Sequence, residues 1–227
     1  YRGRSSGGAV ETDDGRIDAG LVVNAAGVHA DRVARDFGFS SRFRILPFRG
    51  LYLRSPEPPG AFRTHVYPVP DLSTTFLGVH VTAAVDGTYT LGPTATPAFW
   101  REHYRGLDNF RPGEFLRIVA RQADLFLRDA FGFRSLAADE LKKHLKTVLV
   151  RRAAELAELP GPDAGWRWGR PGVRAQLVDV EERQLVMDFR VEGDGDSFHV
   201  LNAVSPGFTC AIPFREHCWD RIEELAA

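Results

Sequence analysis

The amino-acid sequence predicts an α/β protein, and the segments at its two ends carry most of that prediction. LVVNAAGVHAD (21–31) and FHVLNAVSPGFTCAI (198–212) each run from apolar strand formers through small residues into a helical pattern. The region between them changes from turn-punctuated strands to helices and back to strands. A strand that enters a helix through small residues offers bare backbone N–H groups to an anionic or electron-rich ligand. Two such elements therefore predict one large ligand held between them.

The first elements are a hairpin and a βα unit. Residues 8–24 alternate between strand and turn patterns, and Asp13-Asp14-Gly15 marks a tight reversal before the apolar run 21–23. Residues 30–37 have helical spacing, and Gly38 ends the helix. A strand, a tight turn and a helix follow one another here, as in α/β folds.

The middle of the chain changes from strands to helices after Gly92. Residues 44–92 are mostly β-branched or aromatic with frequent glycine and proline, and 85–88 (VDGT) has the composition of a hairpin tip. From Pro112 to about Glu158, helix formers carry apolar residues three and four apart, which predicts two helices. Ser135 is a candidate N-cap for the second helix, and Pro160-Gly161-Pro162 ends it.

Strands resume after the helices. Residues 174–178, 185–191 and 198–201 are predicted strands, and a terminal helix is predicted over about 209–225. Strands on both sides of a helical insert give the α/β prediction an α+β character.

Composition restricts the classes of function. The chain has 227 residues, 44% of them apolar and 26% charged, which suits one large or two small globular domains. A net charge of −1 gives no field to recruit nucleic acid, so no nucleic-acid partner is expected.

Cysteine usage and the ends of the chain bear on its compartment. Cys210 and Cys218 are eight positions apart on the predicted terminal helix, too far for a disulfide. With no signal peptide and no apolar run of transmembrane length, a cytoplasmic location is expected. The chain starts at Tyr1 and its only methionine is Met187, so we expect it to be the carboxyl-terminal part of a longer protein.

Three groups of residues are candidates for ligand binding. The small residues Ala25, Ala26 and Gly27 let a ligand approach the main chain, although a tight βα turn without a ligand fits the spacing equally well. Arg49 and Arg174 could each hold a carboxylate or a flavin carbonyl, but a surface ion pair is the commoner arrangement of such an arginine.

His80 and the segment 205–209 are the remaining candidates. His80 lies on a predicted strand and could take a hydroxyl proton near neutral pH, although a histidine at such a position is more often a satisfied core residue. The residues 205–209 (SPGFT) open a predicted helix, whose free N–H groups favour negative charge, whereas simple capping by Ser205 or Thr209 is the alternative. Histidine and acidic residues have no metal-site spacing, so no metal is expected.

Several motifs, in order along nearly the whole chain, resemble one family. They are VVNAAGVHADRVA (22–34), ILPFRGLY (45–52), VYPVPD (66–71), FLGVHVT (76–82), LGPTA (91–95), PGVRAQ (171–176), MDF (187–189) and HVLNAVSPGFTCAI (199–212). Together they resemble the FAD-dependent L-2-hydroxyglutarate oxidases and dehydrogenases of the D-amino-acid oxidase-like (DAO) superfamily.

The resemblance implies the remnant of a Rossmann-like FAD-binding domain, interlocked with a mixed-sheet substrate domain that carries inserted helices. Residues 1–43 would be the last part of the FAD-binding domain. Residues 44–197 would be the substrate domain, with its helical insert at about 111–158, and 198–227 would return to the FAD-binding domain. The family's first βαβ unit, with its glycine-rich fingerprint, has no counterpart here and is expected upstream of Tyr1.

The resemblance also implies a reaction and residue roles. A 2-hydroxy acid, in the first instance L-2-hydroxyglutarate, would be oxidised to a 2-keto acid by hydride transfer to FAD. His80 would be the base, Tyr67 a positioning hydrogen-bond donor, Arg174 the ligand of the α-carboxylate, and Arg49 the ligand of flavin or of the distal carboxylate. Small or loop residues would line FAD: Ala25, Ala26, Gly27, Gly50, Gly172, Ser205, Pro206, Gly207, Phe208 and Thr209.

The chain departs from the family pattern in places, and other functions stay open. The family leads us to expect a Pro-Ser-Pro-Ala-Ala-Thr-like string at 204–209, an asparagine at Thr94 and an acidic residue at Leu51. One alternative is an amino-acid or glycerol-phosphate oxidase of the same superfamily. Another is a non-catalytic remnant or subunit that binds a partner supplying the missing half. The electron acceptor would be oxygen or a quinone, and peripheral association with the inner membrane is an alternative to a purely cytoplasmic location.

Overall fold

The computed structural model describes residues 1–5, 9–69, 78–203 and 208–226. It confirms a mixed α/β fold. The chain divides into two compact units: unit 1 comprises Tyr1–Leu46 and Ala175–Ala227, and unit 2 is the continuous segment Pro47–Arg174. The division at 43/44 and 197/198, which assigns the parts to cofactor and substrate, stays a prediction.

Unit 1 begins with a small antiparallel sheet. Strands β1 (Gly3–Arg4), β2 (Val10–Thr12) and β3 (Gly15–Ile17) lie in that order. The hairpin predicted at Asp13-Asp14-Gly15 is confirmed: Gly15 takes a φ of +121°, which favours glycine, and the Thr12 hydroxyl donates to the Gly15 carbonyl at 2.8 Å.

A second sheet of unit 1 joins segments from both ends of the chain. Its strands are β4 (Val22–Asn24), β13 (Arg190–Gly193) and β14 (Ser197–Asn202), in the order β13–β14–β4. β13 and β14 are antiparallel, whereas β14 and β4 are parallel, with Phe198 opposite Val23. Because parallel strands point the same way, Ala25, which follows β4, and Ala203, which follows β14, lie at the same edge of the sheet.

Helix α1 (Ala30–Asp36) follows β4, as the sequence predicts. It ends before Gly38, whose φ of +92° suits a residue just beyond a helix. A cluster of buried apolar residues forms a core of unit 1: Ala30, Ala34, Phe43, Ile45, Leu177 and Leu201.

A four-stranded sheet has the order β12–β11–β5–β9. Its strands are β5 (Phe43–Gly50), β9 (Thr96–Pro97), β11 (Gly172–Asp179) and β12 (Gln184–Leu185). The boundary between the two units falls within β5 and within β11.

Unit 2 contains a four-stranded antiparallel sheet in the order β10–β6–β8–β7. Its strands are β6 (Leu53–Arg54), β7 (His80–Ala83), β8 (Tyr89–Gly92) and β10 (Arg167–Trp168). The predicted hairpin tip at 85–88 connects β7 to β8 and is confirmed. Apolar residues of the sheet and of the helical region form one core cluster: Leu53, Val79, Val81, Tyr89, Leu91, Leu149, Val150, Ala153 and Trp166.

Helices occupy the region where the apolar periodicity predicts them. They are α2 (Pro112–Arg128), α3 (Phe133–Lys142) and α4 (Lys146–Ala154), with a 3-10 turn at Ala130–Gly132. The prediction of Ser135 as an N-cap is wrong, because α3 begins two residues earlier, after Gly132 with a φ of +71°. The single helix predicted after Ser135 is two helices, separated where Leu145 takes an extended conformation.

Two other predicted elements differ from the structure. The strand predicted over 185–191 is two short strands, β12 and β13, in different sheets. Between β12 and β13, the Asn202 side-chain amide donates to the carbonyls of Val186 and Asp188. These hydrogen bonds replace strand pairing at the two carbonyls.

The terminal helix α5 (Ala211–Ala226) starts later than predicted, so Cys210 precedes it. Cys218 lies on it, and both cysteines are free thiols. None of the helices in the described part of the chain has the length and apolar character needed to cross a membrane.

Candidate active site

His80 is the first residue of β7 and is buried in the sheet of unit 2. Its Nδ1 lies 3.0 Å from the Gly78 carbonyl oxygen. Since a carbonyl can only accept, Nδ1 carries the hydrogen, and in the neutral ring Nε2 is the atom with a free lone pair. Burial lowers the pKa of His80, and the nearby His65 lowers it further, while the bond to Gly78 raises it. The imidazole therefore stays neutral to a lower pH than an ordinary histidine.

Tyr67 covers the imidazole of His80. The two ring centroids are 4.5 Å apart with an interplanar angle of 32°. Tyr67 is 49% exposed, so about half of its surface is not covered by the described residues. The predicted base and the predicted positioning residue are thus direct neighbours.

Tyr52 joins this pair to Arg174. Burial raises the pKa of the Tyr52 phenol, the Arg174 guanidinium lowers it, and Tyr67 raises it, so both side chains lie within electrostatic reach of Tyr52. Arg174 is half-buried, and burial lowers its pKa while Tyr52 raises it. An arginine keeps its charge in proteins even so. Unit 2 therefore groups His80, Tyr67, Tyr52 and Arg174, which we call the Tyr52 group.

Tyr52 is the functional candidate that the sequence analysis does not single out. It ends the motif ILPFRGLY, in which Arg49 is the only charged residue. A hypothetical Cβ on Gly92 would lie 2.8 Å from the Tyr52 ring, so Gly92, with its φ of +148°, makes room for that ring. Only the folded sheet shows this contact, since the two residues are forty positions apart.

Arg49 has a different set of neighbours. Its Nη1 lies 3.3 Å from Nε2 of His103, whose ring stacks on Trp100 with centroids 3.8 Å apart. Burial, together with the Arg49 charge, lowers the pKa of His103 to about 4. The buried Nε of Arg49 has no hydrogen-bond partner among the described residues.

The predicted cofactor glycines of unit 2 have different surroundings. A Cβ on Gly50 would lie 3.2 Å from the Pro93 Cβ and 3.4 Å from the Thr94 carbonyl oxygen, so local packing alone favours glycine there. A Cβ on Gly172 would meet nothing within 4 Å, so that backbone is open. Thr94, where the family leads us to expect asparagine, accepts a hydrogen bond from the Leu51 N–H at 3.0 Å.

The small residues after β4 lie at the open edge of unit 1. Ala25, Ala26 and Gly27 are all exposed, and a Cβ on Gly27 would meet nothing within 4 Å. Gly27 takes a φ of +55°, which L side chains adopt at a cost. Asn24 is buried beside them and accepts a hydrogen bond from the Ala26 N–H at 3.1 Å. The turn thus combines a fixed anchor with open backbone.

The second predicted cofactor segment is described only at its end. Ser205, Pro206 and Gly207 lie outside the described residues. Phe208 is 95% exposed, and Thr209 is exposed and precedes α5. The roles predicted for 205–209 therefore stay predictions.

Comparison with known families gives the class of protein. A family model described as "DAO: FAD dependent oxidoreductase" matches residues 2–213, which is nearly the whole chain. The chain belongs to this DAO family of FAD dependent oxidoreductases. The resemblance recognised from the motifs is thereby confirmed.

Curated relatives share one description. The chain is 34% identical to an L-2-hydroxyglutarate dehydrogenase of Escherichia coli (strain K12) over 220 residues, which cover 94% of this chain and 50% of the relative. It is 34% identical to the mitochondrial L-2-hydroxyglutarate dehydrogenase of Mus musculus, covering 90% of this chain and 45% of the relative. The corresponding protein of Homo sapiens is 33% identical, with coverage of 89% and 44%. The chain spans about half the length of these relatives.

A solved structure of glycine oxidase from Bacillus cereus ATCC 14579 also matches. It covers 99% of this chain and 51% of its own, with a TM-score of 0.44 and 12% identity. That likeness is too low to carry an argument about the site.

Proposed function

We propose that this chain supplies the substrate-binding part of an FAD-dependent oxidoreductase that converts L-2-hydroxyglutarate to 2-oxoglutarate. The observation that carries the proposal is the Tyr52 group, in which the His80 imidazole packs on Tyr67, the Arg174 guanidinium interacts with Tyr52, and the two tyrosines interact with each other. The names of the relatives support the choice of substrate.

Arg174 binds the α-carboxylate in this proposal. Its guanidinium is half-buried, so its attraction to a carboxylate is screened less than at the surface. The planar fork of an arginine fits the two carboxylate oxygens, which orients the substrate as well as binding it. Tyr52, close to this arginine, restricts where the acid can lie.

His80 takes the hydroxyl proton of the substrate. Its Nδ1 hydrogen is engaged by Gly78, so Nε2 is the atom that accepts. The O–H bond breaks as the N–H bond forms, and the electron pair of the O–H bond becomes part of the new carbonyl. Tyr67, packed on the imidazole, holds the ring in position and offers its hydroxyl to the substrate.

The residues of unit 1 fit a cofactor that approaches bare backbone. The open turn Ala25–Gly27 has no side chain that would block a ligand, and its N–H groups follow a parallel strand. These residues, together with the segment 205–209, would hold FAD. When bound, FAD supplies the acceptor for the hydride that leaves the substrate Cα.

Arg49 is assigned to the distal carboxylate of the substrate or to a flavin carbonyl. Its orphaned Nε and its neutral partner His103 support a role in binding an anionic or electron-rich group. Of the two, the distal carboxylate explains why a dicarboxylic acid would be preferred to a shorter hydroxy acid.

The test is anaerobic flavin reduction in the protein at its natural full length, loaded with FAD. L-2-Hydroxyglutarate should bleach the flavin absorbance, whereas D-2-hydroxyglutarate, glycine and glycerol 3-phosphate should do so at least about a hundredfold more slowly, since the site must match both carboxylates and one configuration. Faster reduction by an amino acid or by glycerol 3-phosphate would replace this function with that of another oxidase. No reduction by any of these compounds would overturn the proposal.

A further inference from the structure

Asn24 and His199 form a buried polar pair beside the open turn of unit 1. Asn24 lies on β4 and is 4% exposed, and His199 lies opposite it on β14 and is fully buried. The Asn24 amide nitrogen donates to the Ala30 carbonyl at 2.8 Å and contacts Nδ1 of His199 at 3.1 Å. Its amide oxygen accepts from the Ala26 N–H at 3.1 Å. One side chain therefore holds both ends of the connection from β4 to α1.

These contacts fix the tautomer of His199. An amide NH₂ group can only donate, so Nδ1 of His199 accepts and, in the neutral ring, Nε2 carries the hydrogen. Nε2 lies 3.1 Å from the Ser197 hydroxyl, to which it donates. The Ser197 hydroxyl in turn donates to Asp194 at 3.2 Å. Every polar atom of the imidazole is thus engaged in an ordered chain of hydrogen bonds that ends at Asn24.

Aromatic packing holds the imidazole in place. Its ring lies 5.2 Å from that of Phe37 and 5.0 Å from that of Phe39, centroid to centroid. Burial lowers the pKa of His199, while Asp194 and Glu192 raise it and Arg4 lowers it. The histidine is a rigid, largely neutral acceptor.

The open turn itself has little packing. Ala25, Ala26 and Gly27 are exposed, so their short side chains contribute little to fixing the backbone. The hydrogen bond from the Ala26 N–H to the Asn24 amide oxygen therefore contributes more to fixing the backbone than such a bond does in a turn whose side chains are buried. Anything that orients the Asn24 amide therefore orients the turn.

We propose that His199 is a positioning residue for cofactor binding: by accepting from Asn24 it fixes the amide that holds the turn Ala25–Gly27 in its binding conformation. The inference rests on the proposed function, in which this turn lines FAD. His199 itself does not contact the cofactor in this proposal.

The experiment compares two substitutions in the protein at its natural full length, by titrating the FAD-free protein with FAD and following flavin fluorescence. His199→Phe keeps a ring among Phe37 and Phe39 but offers no acceptor, and the FAD Kd should rise about tenfold, as expected when a buried donor loses its partner. His199→Asn places a side-chain oxygen near the position of Nδ1, and the Kd should return to within about threefold of the parent value. If His199→Phe does not fold, His199→Gln replaces it. The glutamine amide lies near the position of Nε2, so it leaves Asn24 without an acceptor, and the same rise in the FAD Kd is expected.

Asn202 provides the matched control. It is as buried as Asn24 and lies on the same strand as His199, but its amide binds the carbonyls of Val186 and Asp188, away from the turn. Asn202→Ala should lower the melting temperature and leave the FAD Kd unchanged. A similar Kd rise in this control would show that FAD binding merely follows overall stability, and would overturn the inference.

The outcomes separate the inference from the proposed function. If the parent protein binds FAD and both His199 variants bind it equally well, the positioning role is refuted and the proposed function stands. If His199→Asn is as weak as His199→Phe, acceptance from Asn24 is not the reason. If the parent protein itself binds no FAD, the proposed function fails first.

Discussion

The two units present different chemistry to a ligand. In unit 2 the candidate groups are large side chains: the imidazole, phenols and guanidinium of the Tyr52 group. In unit 1 the candidate group is the exposed backbone of a turn that has almost no side chains. In the proposed function, the side chains of unit 2 bind and deprotonate the acid, and the main chain of unit 1 binds the cofactor. Each of the following predictions tests one side of that contrast.

The largest effect is expected at His80. His80→Gln keeps a polar side chain but removes the base, and the rate of flavin reduction by L-2-hydroxyglutarate should fall about a hundredfold or more in stopped-flow measurements. His65→Gln is the matched control: His65 accepts from the Ala83 N–H through Nδ1, so its Nε2 carries the hydrogen and cannot act as a base when neutral. An unchanged rate in His80→Gln would remove His80 from the role.

The next largest effect is expected at Arg174. Arg174→Gln removes the charge that would bind the α-carboxylate, and kcat/KM should fall about ten- to a hundredfold, because hydrogen bonds to charged groups contribute about 1.5–3 kcal/mol. The loss should appear mainly in KM, and FAD content, measured by absorbance, should stay the same. If the Arg174→Gln variant lost FAD but kept its KM, Arg174 would be a residue that binds the cofactor and not the substrate.

The pH dependence of kcat/KM should report the titration of His80. A base must be neutral to act, and burial holds the pKa of His80 below that of an ordinary histidine. The value of kcat/KM should therefore be flat near neutral pH and fall about tenfold per pH unit below a midpoint that lies under about 6.5. This acid limb should vanish in His80→Gln. A limb that persists in the variant would belong to another group.

The smallest effect is expected at Gly27. Its φ of +55° costs an alanine about 1 kcal/mol, whereas the space around it is open. Gly27→Ala should raise the FAD Kd roughly fivefold without changing the KM for substrate. Gly38→Ala, which adds the same methyl group at another positive φ in open space but outside the turn, is the control and should leave the FAD Kd unchanged. A change in KM with an unchanged FAD Kd would contradict the assignment of this turn to the cofactor.

Much of the fold follows from local patterns. The run from β4 through Ala25–Gly27 into α1 is visible because strand, turn and helix signals follow one another without conflict. The hairpins at 13–15 and 85–88 carry glycine where the turn needs it. The break between α3 and α4 carries no such signal, since residues 143–145 include neither glycine nor proline and the apolar spacing continues across them.

The site is less accessible to sequence reasoning, because it depends on long-range pairing. His80 and Tyr67 were selected by residue type and by family resemblance, and the sheet of unit 2 brings them together. Tyr52 and His103 were not selected, since the neighbours that give them a role are set by strand pairing and by the loop after β9. The different neighbours of Arg49 and Arg174 are likewise invisible in a list of basic residues.

Unit 1 consists of two segments separated by unit 2, and this affects the order in which its strands are synthesised. Its first arm ends at Leu46 and its second begins at Ala175, while unit 2 is a single uninterrupted stretch. On the ribosome, β4 emerges about 175 residues before its parallel neighbour β14, a delay of roughly ten to thirty-five seconds at common elongation rates. Unit 2 can complete its core during that interval, whereas Val23 can meet Phe198 on β14 only afterwards. The parallel pairing of β4 with β14 can therefore form only after the whole of unit 2 has been synthesised.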